Sequence, residues 1–475
     1  MVLDYFKQIS AIPRGSRNNK AISDYLVEFA KRNGLRYIQD EALNVVIYKD
    51  ASPGCGHIPP LVMQGHMDMV CEKVSDSIHD FLKDGIEVLE KDGYLYADGT
   101  TLGGDDGIAV AYMMEFLTDD TLMHPPLEMV ITTDEEIGMC GAKAFDASVL
   151  KGRRMINIDS EEEGIFTVSC AGGAVGEISC NINRVKCDGT RIDVILKGLK
   201  GGHSGIDIAK NRHNAVITLG RLAAMLKDSG CSGYGLISFE GGKKDNVIPN
   251  EAVISFAAEE NKLEDVLAEI NAAADILKNE MLAAEPDICF IVDKGDRAGY
   301  EVFDEESFDR LVCLMTYVPN GVQVMSAGIA GMVESSCNLG IFAASGNEVK
   351  ATISMRSSKS SYIDYMDRKL EGLAGIIGGS YRNYGAYPGW DMKPESEFRE
   401  LMCRVYKDTF NEDAVVEGVH AGLEGGLFVE KLPDMDIVSI GPDMHDIHTV
   451  KERIEVASVG RVERFLRNVI ESLCM

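Results

Sequence analysis

Four short, continuous apolar runs place the strongest constraint on how this chain of 475 residues can fold. The runs cover residues 60–64, 128–133, 155–158 and 436–440. A strand that is apolar at every position, rather than at alternate positions, is typical of a parallel sheet covered on both faces. A helical pattern at residues 108–117 separates the first two runs. The sequence therefore predicts an α/β domain with a mostly parallel sheet and helices on both faces.

The middle of the chain has a different pattern, in which strands and helices follow the order βαββα twice. The first set is predicted at residues 191–199, 214–227, 235–240, 252–258 and 263–281, and the second at 288–292, 307–317, 338–344, 348–356 and 363–377. Each set predicts antiparallel strands backed by helices. We therefore expect residues 174–384 to form an inserted α+β domain. Residues 1–173 and 385–475 would then form one discontinuous α/β domain.

The charge of the chain restricts its partners. With 47 basic and 76 acidic residues, the net charge is −29, which repels nucleic acids and anionic membranes.

No window approaches the roughly 18 apolar residues of a membrane helix. Asp4 and Lys7 interrupt the N-terminal apolar pattern, so we predict no secretion signal and a cytoplasmic location. The twelve cysteines lack CxxC spacing, and we expect small buried side chains rather than disulfides.

Two motifs in the N-terminal part of the chain contain candidate metal-binding residues. His66 and Asp68 are two residues apart in or just after a strand, so their side chains can lie on one face. A carboxylate beside a histidine makes it a better metal ligand, although an ordinary hydrogen-bonded pair gives the same pattern. Asp105 and Asp106 lie at a predicted helix start, where acids are also good caps. Capping explains Asp106, but it explains less well the glycines around Asp105, which would let the backbone approach an ion.

Three further motifs follow apolar runs. Glu135 and Glu136 are adjacent acids after the second run, where one could bind a metal while the other moves protons. A solvated acidic turn is the alternative. Asp159 ends the third run, and the loop after the fourth run carries His445 and His448. Either histidine in that loop is a candidate ligand or an exposed side chain.

The strand ends bring these residues together. In open α/β sheets, ligands bind beyond the carboxyl ends of the strands, and four apolar runs deliver polar residues to that edge. Imidazoles with several carboxylates suit zinc, with cobalt and manganese as alternatives, and the number of acids favours two ions sharing a bridge. No GxSxG motif is present, and the Gly-Gly-His203-Ser204-Gly stretch is not a nucleophile elbow.

These motifs, in this order, make the chain similar to the two-zinc exopeptidases that include aminoacylases, carboxypeptidase G, tripeptidase T and carnosinase-type dipeptidases. The resemblance covers essentially the whole chain. The residues Thr-Leu-Gly-Gly-Asp105, the stretch from His420 to Gly426 and the doubled βαββα domain resemble bacterial aminoacyl-histidine dipeptidases. The resemblance implies a zinc-dependent hydrolase of dipeptides, with Xaa-His dipeptides as the first expectation. The α/β domain would be catalytic and the inserted domain a lid.

The resemblance also implies a role for each motif. His66 and Asp159 would bind one zinc, Glu136 and His448 the other, and Asp105 would bind both. Asp68 would orient His66, Glu135 would be the general base, and His203 would stabilise the oxyanion. The implied substrate contacts are Asn246, Arg356, Glu424, Gly425 and Gly426.

Several alternatives stay open. Relatives have an Ala-Asp-Asn order where this chain has Gly104-Asp105-Asp106, so the bridge could be Asp106, and they carry a cysteine in place of Gly425. The second βαββα set has no counterpart of the His203 motif, and we expect His203 to act in its own subunit, whether or not the protein is a homodimer. An N-acyl amino-acid amidohydrolase and a non-catalytic metal-binding scaffold are the competing functions. The preferred dipeptides, cleavage of β-alanyl bonds and the native metal are also left open.

Overall fold

The computed structural model describes the whole chain, Met1–Met475, as two compact units. Unit 1 contains Met1–Ser169, Trp390–Gly418 and Leu423–Met475, and unit 2 contains Cys170–Gly389 and Val419–Gly422. The sequence places the division at residues 174 and 384 and does not predict the short return at Val419–Gly422. The catalytic and lid roles of the two units remain predictions. None of the helices combines the length and the apolar character that crossing a membrane requires.

Unit 1 is built on an eight-stranded mixed sheet. Its strands, in spatial order, are Arg36–Gln39, Val45–Lys49, Leu127–Thr132, Leu61–His66, Arg154–Asn157, Asp436–Ser439, Ile165–Cys170 and Val415–Val419. The third to sixth strands come from the four apolar runs and are mutually parallel, as predicted. Val45–Lys49 pairs antiparallel with Leu127–Thr132 and forms a hairpin with Arg36–Gln39. On the other side, Ile165–Cys170 pairs antiparallel with Asp436–Ser439.

Helices and a small second sheet complete unit 1. The helices are Val2–Ser10, Lys20–Arg32, Gly104–Thr118, Cys140–Ala144, Glu397–Phe410, Gly425–Lys431 and Val456–Ser472, with a 3₁₀ turn at Ala147–Val149. The small sheet contains Met444–His445, Arg453–Glu455, Tyr94–Tyr96 and Leu89–Lys91. The helix Gly104–Thr118 is buried along nearly its whole length and contacts Leu61–His66, because its sequence is apolar on every side. It therefore lies beside the strand that carries His66.

Unit 2 contains one nine-stranded antiparallel sheet, in which the βαββα order occurs twice. Its strands, in spatial order, are Cys289–Phe303, Arg184–Lys197, Ala252–Ala258, Tyr234–Gly241, Val333–Ser345, Glu348–Ser357, Gly172–Asn181 and Ser380–Tyr387, with Gly321–Met325 beside Val333–Ser345. The two sets join where Phe239 pairs with Ala344. Four helices pack on this sheet over a single apolar cluster, and they are Ala215–Asp228, Leu263–Met281, Glu305–Tyr317 and Ser360–Ile376.

The cysteines differ in burial from one another. Cys55, Cys170, Cys180 and Cys337 are buried, which fits the expectation of small core side chains. Cys71 and Cys140 are exposed, so that expectation is wrong for these two. Cys71 lies in the loop after the strand Leu61–His66, and Cys140 is the first residue of the short helix Cys140–Ala144.

Candidate metal centre

His66 is the last residue of the strand Leu61–His66, and its imidazole is almost completely buried in unit 1. Its Nδ1 lies 3.1 Å from the backbone oxygen of Asp68, so the Nδ1–H can donate there. Its Nε2 lies 3.1 Å from Asp105 Oδ1 and 3.7 Å from Asp159 Oδ1. A histidine that donates from one nitrogen to a carbonyl presents the lone pair of the other nitrogen to a cation.

Asp105 lies between the two predicted histidine ligands. Its Oδ1 faces His66, and its Oδ2 lies 3.1 Å from His448 Nε2. Asp106 has a different environment, because its Oδ2 accepts the backbone N–H of His66 at 3.1 Å and its Oδ1 is buried without a hydrogen-bond partner. The helix Gly104–Thr118 has Gly103 as its N-cap residue, without a side-chain cap hydrogen bond, and both acids lie in its first turn, where the helix dipole favours negative charge. Both residues have non-helical backbone angles, and the peptide bond between them is cis.

His448 forms the exposed side of the cluster, beside the largely buried side chain of Glu136. Glu136 Oε2 lies 3.0 Å from His448 Nε2, and the His448 side chain is 45% exposed. His448 has a left-handed backbone, with a φ of 60°. His445 lies in the strand Met444–His445, with its ring 6.0 Å from that of Tyr94. The structure therefore brings His448, and not His445, to the acidic cluster.

Asp68 does more than the sequence indicates. Its carboxylate is completely buried, with Oδ1 3.4 Å from His66 Nδ1. The same Oδ1 accepts the backbone N–H of Glu135 at 3.1 Å, and Oδ2 accepts the N–H of Glu136 at 3.4 Å and the hydroxyl of Ser16 at 2.8 Å. Asp68 therefore holds the turn that carries the two glutamates as well as contacting the histidine.

Burial changes the pKa values of the acids in this cluster. Burial raises the pKa of Glu135 to about 8, and the charges of Glu424 and Glu136 add to this effect while His66 opposes it. The pKa of Asp159 is raised well above its ordinary value by burial and by Asp106. Conversely, hydrogen bonds to Asp105 and Glu136 raise the pKa of His448 to about 10. The cluster thus concentrates negative charge in a place where water solvates it poorly.

The donor set fits divalent metal ions. Two overlapping groups, His66–Asp105–Glu136 and His66–Asp106–Asp159, each have ligand atoms within 4.8 Å of one another. Imidazole nitrogens with carboxylate oxygens suit zinc, cobalt and manganese. A cation would stabilise the ionised carboxylates that burial disfavours, and the partnerless Oδ1 of Asp106 shows that protein groups alone do not satisfy the cluster.

The other predicted catalytic residue and two predicted substrate contacts lie in unit 2. His203 Nδ1 accepts the backbone N–H groups of Gly205 at 3.2 Å and Ile206 at 3.3 Å. Burial and the charge of Arg356 lower the pKa of His203, so the ring is neutral with its proton on Nε2. Arg356 is 9% exposed and donates to the Tyr387 hydroxyl at 3.0 Å. The other predicted contact in this unit, Asn246, is exposed at the surface.

The predicted substrate contact Glu424 lies in unit 1, and its role at the substrate stays a prediction. Glu424 is completely buried in unit 1, where its Oε2 accepts hydrogen bonds from Gln64 Nε2 and Thr132 Oγ1, each at 2.6 Å. Gly425 and Gly426 are buried at the start of the helix Gly425–Lys431. The Glu424 carboxylate is buried because Gln64 and Thr132 present buried hydrogen-bond donors that need an acceptor.

The sequence gives no signal for several residues that contact the cluster. Arg14 and Glu452 are buried beside the Asp105 loop, and Ser16 binds Asp68. The backbone N–H of Arg17 donates to Asp134 Oδ1 at 2.6 Å, beside the two glutamates. In the sequence, the segment around Arg14 resembles an ordinary polar loop, because burial of a charged side chain depends on partners far along the chain.

Comparisons with known proteins show which family and which solved structures the chain resembles. The model of peptidase family M20/M25/M40 matches residues 62–472. The cytosol non-specific dipeptidase of Escherichia coli (strain K12) is 35% identical over 474 residues, which cover 99% of this chain and 97% of that protein. The crystal structure of aminoacylhistidine dipeptidase from Vibrio alginolyticus has a TM-score of 0.94 and 33% identity, covering 99% of this chain and 96% of that one. An aminopeptidase from Bacillus cereus, with a TM-score of 0.56, 16% identity and coverage of 100% and 98%, shares the fold.

Proposed function

The chain belongs to peptidase family M20/M25/M40 and is a metal-dependent hydrolase, and we propose that it is a cytosolic dipeptidase that uses two zinc ions and accepts Xaa-His dipeptides. One relative is described as a cytosol non-specific dipeptidase and another as an aminoacylhistidine dipeptidase. Both descriptions support dipeptides as the substrate class. The observation that carries the proposal is the Asp105 carboxylate, which points one oxygen at His66 and the other at His448.

We assign the ligands from these contacts. His66 and Asp159 would hold one ion, Glu136 and His448 the other, and Asp105 would hold both. The 3.1 Å separations between Asp105 and the two histidines support this assignment, because a cation between a carboxylate and an imidazole takes the place of their hydrogen bond. When bound, two such ions polarise the scissile carbonyl and lower the pKa of a water molecule.

Glu135 is the proposed general base. Its backbone is fixed by Asp68, and burial raises the pKa of its carboxyl to about 8 among the neighbouring acids. A base with a pKa near neutrality can both accept a proton from the attacking water and return it to the leaving amine. We propose that Glu135 performs these two transfers, while the adjacent Glu136 serves as a ligand.

His203 is the proposed oxyanion donor, with Arg356 as the partner of the substrate carboxylate. Because two backbone N–H groups occupy His203 Nδ1, its Nε2–H is left to donate. A donor aimed at a developing oxyanion is typically worth about 3–4 kcal/mol. A guanidinium binds a free carboxylate well because the two groups match in shape and charge, and the Nε of Arg356 is buried without a hydrogen-bond partner.

A metal-reconstitution assay tests the proposal. The purified protein is treated with a chelator, its metal content is measured, and hydrolysis is followed on Xaa-His dipeptides, other dipeptides, tripeptides and N-acetyl amino acids. We expect activity on dipeptides to disappear with the metal and to return with zinc, cobalt or manganese at two ions per chain. Hydrolysis that survives complete removal of metal would contradict the mechanism, and a preference for N-acetyl amino acids would identify an amidohydrolase instead.

A matched variant separates binding from catalysis. Glu135→Gln should retain both ions and lose about 10²- to 10⁴-fold in kcat, because it removes the proton acceptor but no ligand. Glu136→Gln should instead lower the metal content. Equal metal loss in the two variants would contradict the division of roles between these neighbours.

A further inference from the structure

Arg14 is a buried arginine whose hydrogen bonds all end on backbone carbonyls beside the candidate ligands. Its side chain is 2% exposed. Nη1 donates to the carbonyl oxygens of Met67 at 3.0 Å and Asp68 at 3.3 Å, and Nη2 donates to that of Gly103. Arg14 therefore connects the segment that follows His66 with the loop that precedes Asp105.

Glu452 makes the complementary contacts with the amides of the same loop. Its side chain is 3% exposed. Oε2 accepts the N–H groups of Leu102 at 2.8 Å and Gly103 at 3.0 Å, and Oε1 accepts those of Gly104 at 2.7 Å and Asp105 at 3.4 Å. One carboxylate thus satisfies four consecutive amides, and the last of them belongs to the candidate bridging residue.

The glycines of the loop leave room for these two side chains. A Cβ on Gly103 would lie 2.5 Å from Arg14 Nη2, and one on Gly107 would meet the same atom at 2.5 Å. A Cβ on Gly104 would lie 2.5 Å from Ile454 Cδ1 and 3.3 Å from Glu452 Oε1. Gly103 also has a φ of 71°, which favours glycine. Gly103 and Gly107 therefore leave room for Arg14, and Gly104 leaves room for Ile454 and Glu452.

We propose that Arg14 and Glu452, here called the loop clamp, are positioning residues that fix the backbone of residues 102–105 so that Asp105 can reach both metal ions. This inference rests on the proposed metal centre. A bridging carboxylate must hold both oxygens in place at once, and a loop rich in glycine does not keep such an orientation without external contacts. The clamp supplies these contacts from both sides of the loop, at its carbonyls and at its amides.

Glu128 provides a matched control for Glu452. It is 3% exposed, and its carboxylate accepts the backbone N–H groups of Lys151 and Gly152 at 3.0–3.1 Å. It has the same chemistry in the same unit, but it lies near the start of the strand Leu127–Thr132, whereas the ligands follow the strand ends. A substitution of either glutamate removes a buried acceptor of amides, and only Glu452 acts on a ligand loop.

The test compares Glu452→Gln, Arg14→Lys and Glu128→Gln with the unchanged protein. Each chelator-treated protein is titrated with Co²⁺, and the visible absorption of the bound ion, the binding affinity and the thermal midpoint of the ion-free form are recorded. Glutamine presents an NH₂ group to amides that need an acceptor, and lysine replaces the guanidinium fork with a single ammonium. We expect both clamp variants to lose about 10- to 100-fold in affinity for the ions and to show an altered cobalt spectrum.

The outcomes separate the possible failures. Glu128→Gln should lower the thermal midpoint but keep the affinity and the cobalt spectrum of the unchanged protein. The inference is overturned if either clamp variant, folded by far-ultraviolet circular dichroism, also keeps both. If the unchanged protein binds no Co²⁺, the proposed function fails first, and the clamp fails with it.

Discussion

Replacement of Asp68 by asparagine is the perturbation whose effect the structure defines best. The carboxylate is completely buried and accepts three hydrogen bonds, from Ser16 Oγ at 2.8 Å and from the backbone N–H groups of Glu135 at 3.1 Å and Glu136 at 3.4 Å. Asparagine has one acceptor oxygen and one NH₂ group in the same space. Whichever way the amide is turned, at least one backbone N–H then faces a donor.

The magnitude follows from these contacts. A hydrogen bond to a charged group contributes about 1.5–3 kcal/mol, and a buried donor left without an acceptor costs about 1–3 kcal/mol. Together they give about 3–5 kcal/mol, which is roughly 10²- to 10³-fold or more in a rate or an equilibrium. Because the lost contacts lie on the turn that carries Glu135, we expect most of this effect in kcat.

The metal content of the variant shows whether Asp68 acts mainly on the turn that carries Glu135 or, as the sequence suggests, on the orientation of His66. His66 Nδ1 is 3.1 Å from the backbone oxygen of Asp68, and this contact survives the substitution. We therefore expect Asp68→Asn to bind ions within about 10-fold of the normal affinity while kcat falls further. Ser16→Ala, which removes one donor and leaves the charge, is the control and should cost about 0.5–1.5 kcal/mol.

The assay is steady-state hydrolysis of a dipeptide with metal content measured on the same samples. If Asp68→Asn loses its ions in proportion to its activity, so that the rate per bound ion is unchanged, Asp68 acts mainly on His66 and the reasoning above is refuted.

Three other predictions follow from the structure. Burial and a hydrogen bond with Glu463 raise the pKa of Glu115 from 4.5 to about 7, so the folded protein binds this proton more tightly than the unfolded chain. The contribution of Glu115 to the free energy of unfolding is therefore fully present below pH 4.5 and is lost as the pH rises through 7. Glu115→Gln should raise the free energy of unfolding by about 1–2 kcal/mol at pH 8 and change it little at pH 4.5, and equal effects at both pH values in urea denaturation would contradict this. A Cβ on Gly65 would lie 2.4 Å from Asp106 Oδ2, so Gly65→Ala should cost about 1–3 kcal/mol in stability and lower the affinity for metal, whereas Gly56→Ala, with nothing within 4 Å, should do neither. If His203 acts in its own subunit, mixing His203→Ala with Glu135→Gln protein should restore no dipeptidase activity, and recovery by complementation would show that it acts across subunits.

The sequence predicts the ligand-bearing strands well because their signal is local. A parallel strand buried on both faces must be apolar throughout, and the first residue that breaks this pattern lies at the sheet edge. His66 ends such a strand and Glu136 and Asp159 follow two others, and the structure brings them together in two groups that share His66. The two open choices, Asp105 against Asp106 and His445 against His448, depend on loop geometry, which a pattern of apolar residues does not describe.

Buried charges are the part that the sequence does not predict. Arg14, Glu424 and Glu452 are all charged residues in segments that look exposed, and each is buried because its partners come from distant parts of the chain. The sequence near Glu424 does not predict its hydrogen bonds with Gln64 and Thr132, which are about 300 residues away or more. Residue type and spacing identify groups able to bind a metal and near neighbours such as Asp68, but they do not identify distant groups that hold the loops of the ligands.

The contacts around Asp105 explain why unit 1 needs both ends of the chain. The candidate ligands His66, Asp105, Glu136 and Asp159 all precede unit 2 in the sequence, and His448 follows it. The Asp105 loop is held by Arg14 from the N-terminal segment and by Glu452 from the C-terminal segment. Four of the five candidate ligands therefore lie within the first 159 residues, but the loop that carries Asp105 gains its amide contacts only when Glu452 has packed. The length of the inserted unit therefore need not affect the position of the Asp105 loop, because Arg14 and Glu452, from the segments on either side of that unit, both bind the backbone of this loop.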